Sequence, residues 1–345
     1  MSHEKQKNKK IILILLIFAL IVAVAVVIGH IIDTKDKAQL EQKKQEGYTQ
    51  AANQIGESTE MDIEDAISFD GHQYVPKKNI ESILVMGVDE ADIQKDSELY
   101  VNNNQADFLM LMVIDHEAKT YRTLQINRDT MTDIPTLGLN GEFIDYQKGQ
   151  IALAHAYGSG LEDSCENEVD AVSRMLYGMT IDHYVSLSMP AIAEINDAVG
   201  GVTVTITDDF TEVDPDFKEG ENITLHGKQA ETFVRTRKDV ADQTNINRMS
   251  RQLTYMRAWK AKALECMQSD NMFAFNLVLT LSDYMVSDMS AQQLSEFANY
   301  MQEYTDEGVL QTDGESVKGE RFMEFYADET SLQNNVFELY YDQVN

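Results

Sequence analysis

An unbroken apolar run near the N-terminus divides this chain before any fold is considered. Residues 11–32, IILILLIFALIVAVAVVIGHII, carry no charged side chain, and His30 is their one polar residue. At about 1.5 Å per helical residue the run reaches about 33 Å, enough to cross a hydrocarbon core of about 30 Å. Lys5, Lys7, Lys9 and Lys10 precede it, while Asp33, Lys35, Asp36 and Lys37 follow it. The larger basic excess lies on the N-terminal side, which predicts a cytoplasmic N-terminus and an extracellular remainder. Ala23-Val24-Ala25 has the look of a signal-peptidase site, yet the apolar run continues through Val26, Val27 and Ile28. A retained, single-pass membrane anchor is therefore expected rather than a cleaved signal.

The formal charge of −30, from 28 Lys+Arg against 58 Asp+Glu, repels polyphosphates at long range and argues against nucleic acid as a partner. An anionic substrate must then be met by a local cationic pocket or by a divalent metal. The chain has two cysteines, Cys165 and Cys266. They are too few for a disulfide framework and lack metal-ligand spacing, so two separate buried thiols are expected rather than one bridge.

Beyond the anchor, residues 33–78 are polar and charged and predict a stalk or linker. Structure begins near Ile83. ILVMGV (83–88) and FLMLMVI (108–114) are continuous apolar runs suited to strands buried on both faces. YRTLQI (121–126), HYVSLS (183–188) and VTVTIT (202–207) alternate or are β-branched, and predict further strands. Helices are expected over Glu168–Gly178 with Asn167 as cap, over Pro190–Val199 and over Ile246–Gln268. This mixture predicts an α/β domain, a mixed central β-sheet flanked by helices on both faces, preceded by one transmembrane helix. The expected organisation is a cytoplasmic head (1–10), a transmembrane helix (11–32), a stalk (33–78), an extracellular domain (79–268) and a C-terminal helical extension (269–345), with Ser290 opening one of its helices.

Three groups of residues carry candidate chemistry. Of nine arginines, Arg235, Arg237, Arg248 and Arg251 fall within seventeen residues. If 233–237 is extended, Phe233, Arg235 and Arg237 share a face; if 246–268 is helical, Arg248, Arg251 and Gln252 share another. Guanidinium forks of this kind either hold a phosphate or pyrophosphate or pair with local acids such as Glu231, Asp239 and Asp242. Asp89 directly follows the strand 83–88 and Asp107 directly precedes the strand 108–114. Parallel neighbours would put these carboxylates at opposite ends. Antiparallel neighbours would put them at one end, as half of a site for a divalent cation completed by substrate phosphate. Arg128, within Asn127-Arg128-Asp129-Thr130, follows a strand and would join that edge.

In this order the elements resemble the LytR–CpsA–Psr family. The resemblance rests on ILVMGVD (83–89), QADF (105–108), INRDT (126–130), QIALAHAYGSG (150–160), IDHYV (181–185), NDAVGGVTV (196–204) and LHGKQAETFVRTRKDV…NRMSRQ (225–252). It implies an enzyme that moves a glycosyl-phosphate from a polyprenyl-pyrophosphate carrier onto a peptidoglycan sugar hydroxyl. By the same resemblance, Mg²⁺ bridges the pyrophosphate to Asp89 and Asp107. Arg128, Arg235, Arg237 and Arg248 hold the pyrophosphate with Gln252 beside them, and the polyprenyl chain lies in an apolar tunnel. Arg128, Asp129, Arg235 and Arg237 form the implied catalytic set, with Asp129 the candidate base through its place beside Arg128.

The chain departs from the family pattern at three points. Gln105 stands where the family usually has arginine, the segment from Asp89 to Asp107 is lengthened, and Gln150-Ile151-Ala152 replaces lysine-isoleucine-asparagine. Losing one cationic fork should weaken donor binding by about 1–3 kcal/mol. Two other functions stay open beside transfer: a non-catalytic lipid-glycan scaffold, favoured by Gln105, and a hydrolase in which water replaces the wall hydroxyl.

Overall fold

In the computed structural model, the two continuous apolar runs become neighbouring strands at the centre of a six-stranded sheet. The structure describes residues 66–89, 104–138, 140–236 and 245–344. The head, the apolar run at 11–32, the linker as far as residue 65, and Arg237 lie outside the described residues. Among the described residues no helix is long and apolar enough to cross a membrane.

Strands β3 (Ile80–Val88) and β4 (Ala106–Asp115) are antiparallel, with Ile83 opposite Met112 and Gly87 opposite Phe108. Gly87 is required by this close approach, because a Cβ there would sit 3.0 Å from the Cβ of Phe108. β5 (Thr120–Ile126) lies antiparallel to β4, and β8 (His183–Ser188) lies parallel to β3. The edges are β11 (Met285–Ser287) beside β8 and β12 (Thr305–Gln311) beside β5, giving the order β11-β8-β3-β4-β5-β12. The sheet is mixed, as expected. β3, β5, β8 and β12 all run in one direction, so their carboxyl ends gather at one edge.

Helices cover both faces of the sheet. One face, carrying Ser82, Leu84, Met86 and Ser186, meets α1 (Glu162–Met175) and α7 (Glu329–Tyr340). Cys165 of α1 lies against Ser186, and the Tyr340 hydroxyl of α7 and the Ser82 hydroxyl both donate to the Thr180 carbonyl at 3.2 Å. The other face, carrying Ile83, Val85, Met112, Ile114 and Tyr121, meets α5 (Phe273–Leu281) and α6 (Ala291–Glu303) through Val278, Phe297 and Tyr300. The long helix α4 (Asn245–Ser269) also lies on this face, where Gln125 donates to the Met249 carbonyl at 3.2 Å.

Two expectations change. The linker was expected to run to 78, but β1 (Ile67–Phe69) and β2 (His72–Pro76) are already folded. β2 pairs with the last strand, β15 (Tyr341–Val344), and Phe69 stacks on Phe337 with centroids 4.4 Å apart. The C-terminal segment from 269 was expected to be a helical extension; instead it supplies both edge strands of the central sheet. Those strands, MVS and TDEGVLQ, are short and half polar, so no apolar period marks them. The extended form considered for 233–237 does not hold over 233–235, which end a helix, α3 (Lys228–Arg235). Ala230, Phe233 and Val234, at helical spacing, are buried against Phe210, Phe217 and Tyr255. VTVTIT forms a strand as expected, β9 (Val202–Thr205), which pairs with β10 (Asn222–Leu225) in a hairpin apart from the central sheet.

Smaller shifts occur at helix ends. α1 starts before the expected Asn167 cap, and the Asn167 amide donates to the Tyr157 carbonyl instead. Ser290 does cap α6, in a reciprocal box with Gln293.

Because Phe337 is 2 % exposed and joins α7 to the terminal sheet, Phe337→Ala should lower unfolding stability by about 3–5 kcal/mol. Chemical denaturation of the full chain in detergent measures this. A loss below about 1 kcal/mol would mean that the two ends of the domain do not support each other.

Candidate functional site

The antiparallel pairing of β3 and β4 resolves the open question about the two aspartates. Asp89 leaves the end of β3 and Asp107 enters β4 beside it, and the Asp89 N–H donates to the Gln105 carbonyl at 3.2 Å. Both carboxylates therefore lie at the sheet edge where β3, β5 and β8 end.

Three arginines reach that edge from three elements. Arg128, just after β5, is ion-paired with Asp107 and also donates to the side-chain oxygen of Gln105. Arg248, in the first turns of α4, places Nη1 3.1 Å from Asp107 Oδ2 and Nη2 3.3 Å from the Asp107 carbonyl. Arg235, the last residue of α3, is ion-paired with Asp89 and lies 3.2 Å from Glu231. The Arg248 and Arg128 side chains are only 3 % and 10 % exposed, whereas Arg235 and Asp89 are open to solvent. Burying such pairs gives little net stability, because desolvation offsets the Coulomb attraction. The cluster is therefore better explained by what it can bind than by what it stabilises.

Gln252, one turn beyond Arg248, donates to the Val234 carbonyl at 3.4 Å and accepts from Gln125 at 3.5 Å. Asp129 is buried, and its carboxylate accepts from Gln150 at 2.9 Å and lies 3.4 Å from Arg128 Nε. Arg251 separates from the cluster. Its guanidinium donates to the carbonyls of Phe233 and Thr236 and lies over the Phe210 ring, fastening α3 to α4.

Two residues orient the arginines: Asn245, which the sequence did not single out, and Gln105, which it marked only as a departure from the family pattern. Asn245 accepts from Arg248 Nε at 3.0 Å and Nη2 at 2.6 Å, and it donates to Asn127 Oδ1 at 2.6 Å. Asparagine at a helix start was the available signal. Gln105 takes one Arg128 nitrogen as an acceptor, so it steers a neighbouring guanidinium where the family usually adds another.

Behind Arg128 lies a buried group of titratable side chains. Glu168 is fully buried and accepts the His155 N–H at 2.9 Å; burial pushes its carboxyl well above the usual range, with the His155 N–H and the Arg128 charge opposing. Burial holds His155 below its ordinary value, and its Nδ1 donates to the Asn104 carbonyl at 2.8 Å. Cys165 sulfur is 3.9 Å from His155 Nε2, but burial pushes the thiol far up, so this pair is not an activated nucleophile. Both cysteines are free, Cys165 buried and Cys266 half-buried.

Below the arginines opens an apolar cavity of about 330 Å³. Asp107, Arg235, Arg248 and Gln252 stand at its polar end. Phe108 and Leu187 line it from the sheet, Ile192 from α2 (Ala191–Ala198), Trp259 from α4 and Leu281 from α5. The Trp259 N–H is satisfied by the Ile195 carbonyl at 2.9 Å, which leaves the indole's apolar surface for the cavity. A greasy cavity ending in guanidinium groups is shaped for an amphiphile with an anionic head.

The LytR_cpsA_psr family model matches residues 36–339. The chain belongs to the LytR–CpsA–Psr family. It is 33 % identical over 159 residues to the polyisoprenyl-teichoic acid–peptidoglycan teichoic acid transferase TagU of Bacillus licheniformis, covering 46 % of this chain and 44 % of that one. TagU of Bacillus subtilis is 32 % identical over 165 residues, covering 48 % and 46 %. The chain thus spans less than half the length of these curated relatives. Among solved structures it is similar in fold to TagT bound to LI-WTA, with TM-score 0.57 and 22 % identity over 76 % of this chain and 90 % of that one. Bacillus subtilis TagU aligns with TM-score 0.52 and 23 % identity over 76 % and 96 %.

For this family member, Asp107→Ala would strand two largely buried guanidiniums, and stability should fall by about 3–5 kcal/mol. Inorganic pyrophosphate should recover part of the lost melting temperature and shift the wild type less. An unchanged melting temperature in the variant would mean that Asp107 is not what balances Arg128 and Arg248.

Glu168 generates a pH prediction. A carboxyl whose folded value is raised contributes fully below its ordinary value of 4.5, and that contribution is lost as pH rises toward the folded value. Relative to Glu168→Gln, the wild type should lose stability progressively above about pH 4.5. Parallel stability–pH curves for the two proteins would contradict this.

Proposed function

We propose that this chain transfers a glycopolymer from a polyprenyl-pyrophosphate carrier onto a peptidoglycan sugar hydroxyl at the outer face of the cell membrane. The observation that carries this reading is the arginine cluster at the polar end of the apolar cavity. A polyprenyl chain suits the cavity, and its pyrophosphate suits Arg128, Arg235 and Arg248, each a permanently charged fork. Family membership supports the same reading, and the relatives named above are teichoic acid transferases. The apolar run at 11–32 supports a single-pass anchor that holds the domain outside, within reach of both lipid donor and wall acceptor.

In this reaction the acceptor oxygen forms a bond to the glycan-side phosphorus, and the bond from that phosphorus to the bridging oxygen breaks. The electron pair leaves on polyprenyl monophosphate, and the hydroxyl proton is released. Such transfers depend mainly on positioning and on offsetting charge at the leaving oxygen. Arg248, held by Asn245, and Arg128, steered by Gln105, are pre-aimed donors for those oxygens. Arg235, exposed and paired with Asp89, can exchange its carboxylate for a phosphate.

The donor set also fits Mg²⁺. Among the described residues no group of three or more His, Cys, Asp or Glu is arranged to hold a metal. Asp89 and Asp107 at one sheet edge suit a cation that takes one or two carboxylates and completes its shell with substrate phosphate and water. When bound, the ion would neutralise pyrophosphate charge, while the arginines turn from the carboxylates to the phosphates.

The test uses the full chain in detergent with a labelled polyprenyl-pyrophosphate glycan and peptidoglycan oligomers, with Mg²⁺ or with EDTA. Label should reach the oligomer only with metal, and Arg248→Ala should reduce transfer by about 10²–10³-fold, the usual cost of removing a charge-stabilising donor. Tight donor binding without turnover would replace this reading with a lipid-glycan scaffold, and release of free glycan phosphate would replace it with a hydrolase.

A further inference from the structure

A second cavity, of about 190 Å³, lies beside the first and has no part in the reaction described so far. It sits among β5, β12, α4 and the hairpin of β13 (Gly314–Lys318) and β14 (Met323–Ala327). Two side-chain amides divide the cavities. Gln252 lines the first, Gln125 lines the second, and Gln125 Nε2 donates to Gln252 Oε1 at 3.5 Å. On the second cavity's wall Asn127 accepts from Asn245, which accepts from Arg248. The wall is thus two hydrogen bonds from the arginine cluster.

The chemistry of this cavity is unlike that of the first. Asn127, Thr130 and Asp313 offer amide, hydroxyl and carboxylate groups, Gln125 is committed to Met249, Gln252 and Gln311, and Phe325 and Met249 offer apolar surface. Among the described residues no lysine or arginine lines it. A phosphate would find no cation among those described residues, and an isoprenoid would have to desolvate several polar groups. A sugar ring suits it, with hydroxyls for the amide and carboxylate and C–H faces for the ring and thioether. The hairpin wall is fixed in place. The Phe325 N–H donates to the Asp129 carbonyl at 2.8 Å, and Gln150 donates to the Met323 carbonyl at 2.7 Å.

Phosphoryl transfer requires the attacking oxygen roughly in line with, and opposite, the leaving oxygen. A lipid phosphate departing over the apolar cavity leaves the acceptor to approach from another side of the arginines. We infer that the second cavity receives the sugar unit of the acceptor glycan and presents its hydroxyl to the donor phosphorus. This inference rests on the transferase reading for the reaction, but the cavity's sugar binding stands or falls separately.

The experiment measures binding of a peptidoglycan disaccharide oligomer to the full chain in detergent by calorimetry, without donor. Two variants are used: Ala327→Phe, which fills the cavity, and Asp313→Ala, which removes an exposed acceptor with little consequence for folding. Wild type should bind the oligomer, and each folded variant should weaken binding by about tenfold, the cost of one good polar contact. Donor affinity should be unchanged in both. Absence of oligomer binding in the wild type, or unchanged binding in Asp313→Ala and in folded Ala327→Phe, overturns the inference. Oligomer binding that is sensitive to both variants, in a wild type that never transfers label, supports the sugar site and sinks the transferase reading. Transfer with an unchanged acceptor KM in the variants does the reverse.

Discussion

The antiparallel pairing of β3 with β4 is the constraint on which the site depends. It turns two aspartates, separated by a lengthened segment of chain, into neighbours at one sheet edge. Because β5 is antiparallel to β4 in turn, Arg128 arrives at the same edge and meets Asp107. Had β3 and β4 been parallel, Asp89 and Asp107 would stand at opposite ends of the sheet, and Arg235 could not share a site with Arg128. The pairing is itself enforced by apolar surface. Both strands are buried on two faces, and a slip of one residue would oppose Phe108 to a side chain larger than Gly87.

The site places charge where the fold gains little from it. Arg128, Arg248 and Asp107 are nearly buried, and exchanging all three together for apolar residues would cost the fold little. Instead the guanidiniums are held by acceptors from several directions: Asn245 and Asp107 on Arg248, Gln105 and Asp107 on Arg128. In a chain of net charge −30 this gathers three guanidiniums in one place, where an anion could replace their carboxylate partners. An anionic head there is favoured most strongly when its apolar tail is taken up by the adjoining cavity, so each half of the site selects for the other.

The C-terminal segment ties function to folding. It supplies both edge strands, covers one sheet face through α7 and pairs with β2 through β15. It also carries the β13–β14 hairpin, which walls the second cavity and bonds to the chain just after Arg128. This end of the sheet is thus assembled from residues more than two hundred positions apart, and the wall of the second cavity is set in part by a segment that contributes none of the clustered arginines.

Much of the core was legible in the sequence because local pattern dictated it. Continuous apolar runs marked β3 and β4, alternation marked β5 and β8, and a long amphipathic period marked α4. Asp89, Asp107, Arg128, Arg235, Arg248 and Gln252 were legible as types at element ends, and the structure brings all six together. Arg251 was grouped with them by helical spacing, but its longer reach is spent on the α3 carbonyls. Other features were not legible. Arg235 closes a helix rather than an extended segment, β11 and β12 are too short and polar to show a period, and Asn245 and Gln105 matter only through neighbours far away in the chain. The sequence by itself determined which segments must be buried and which charged residues stand at their ends, since burial period and side-chain chemistry are local properties. Only the tertiary structure decided strand direction, edge order and which carboxylate meets which guanidinium, because these follow from packing between segments that no local period encodes.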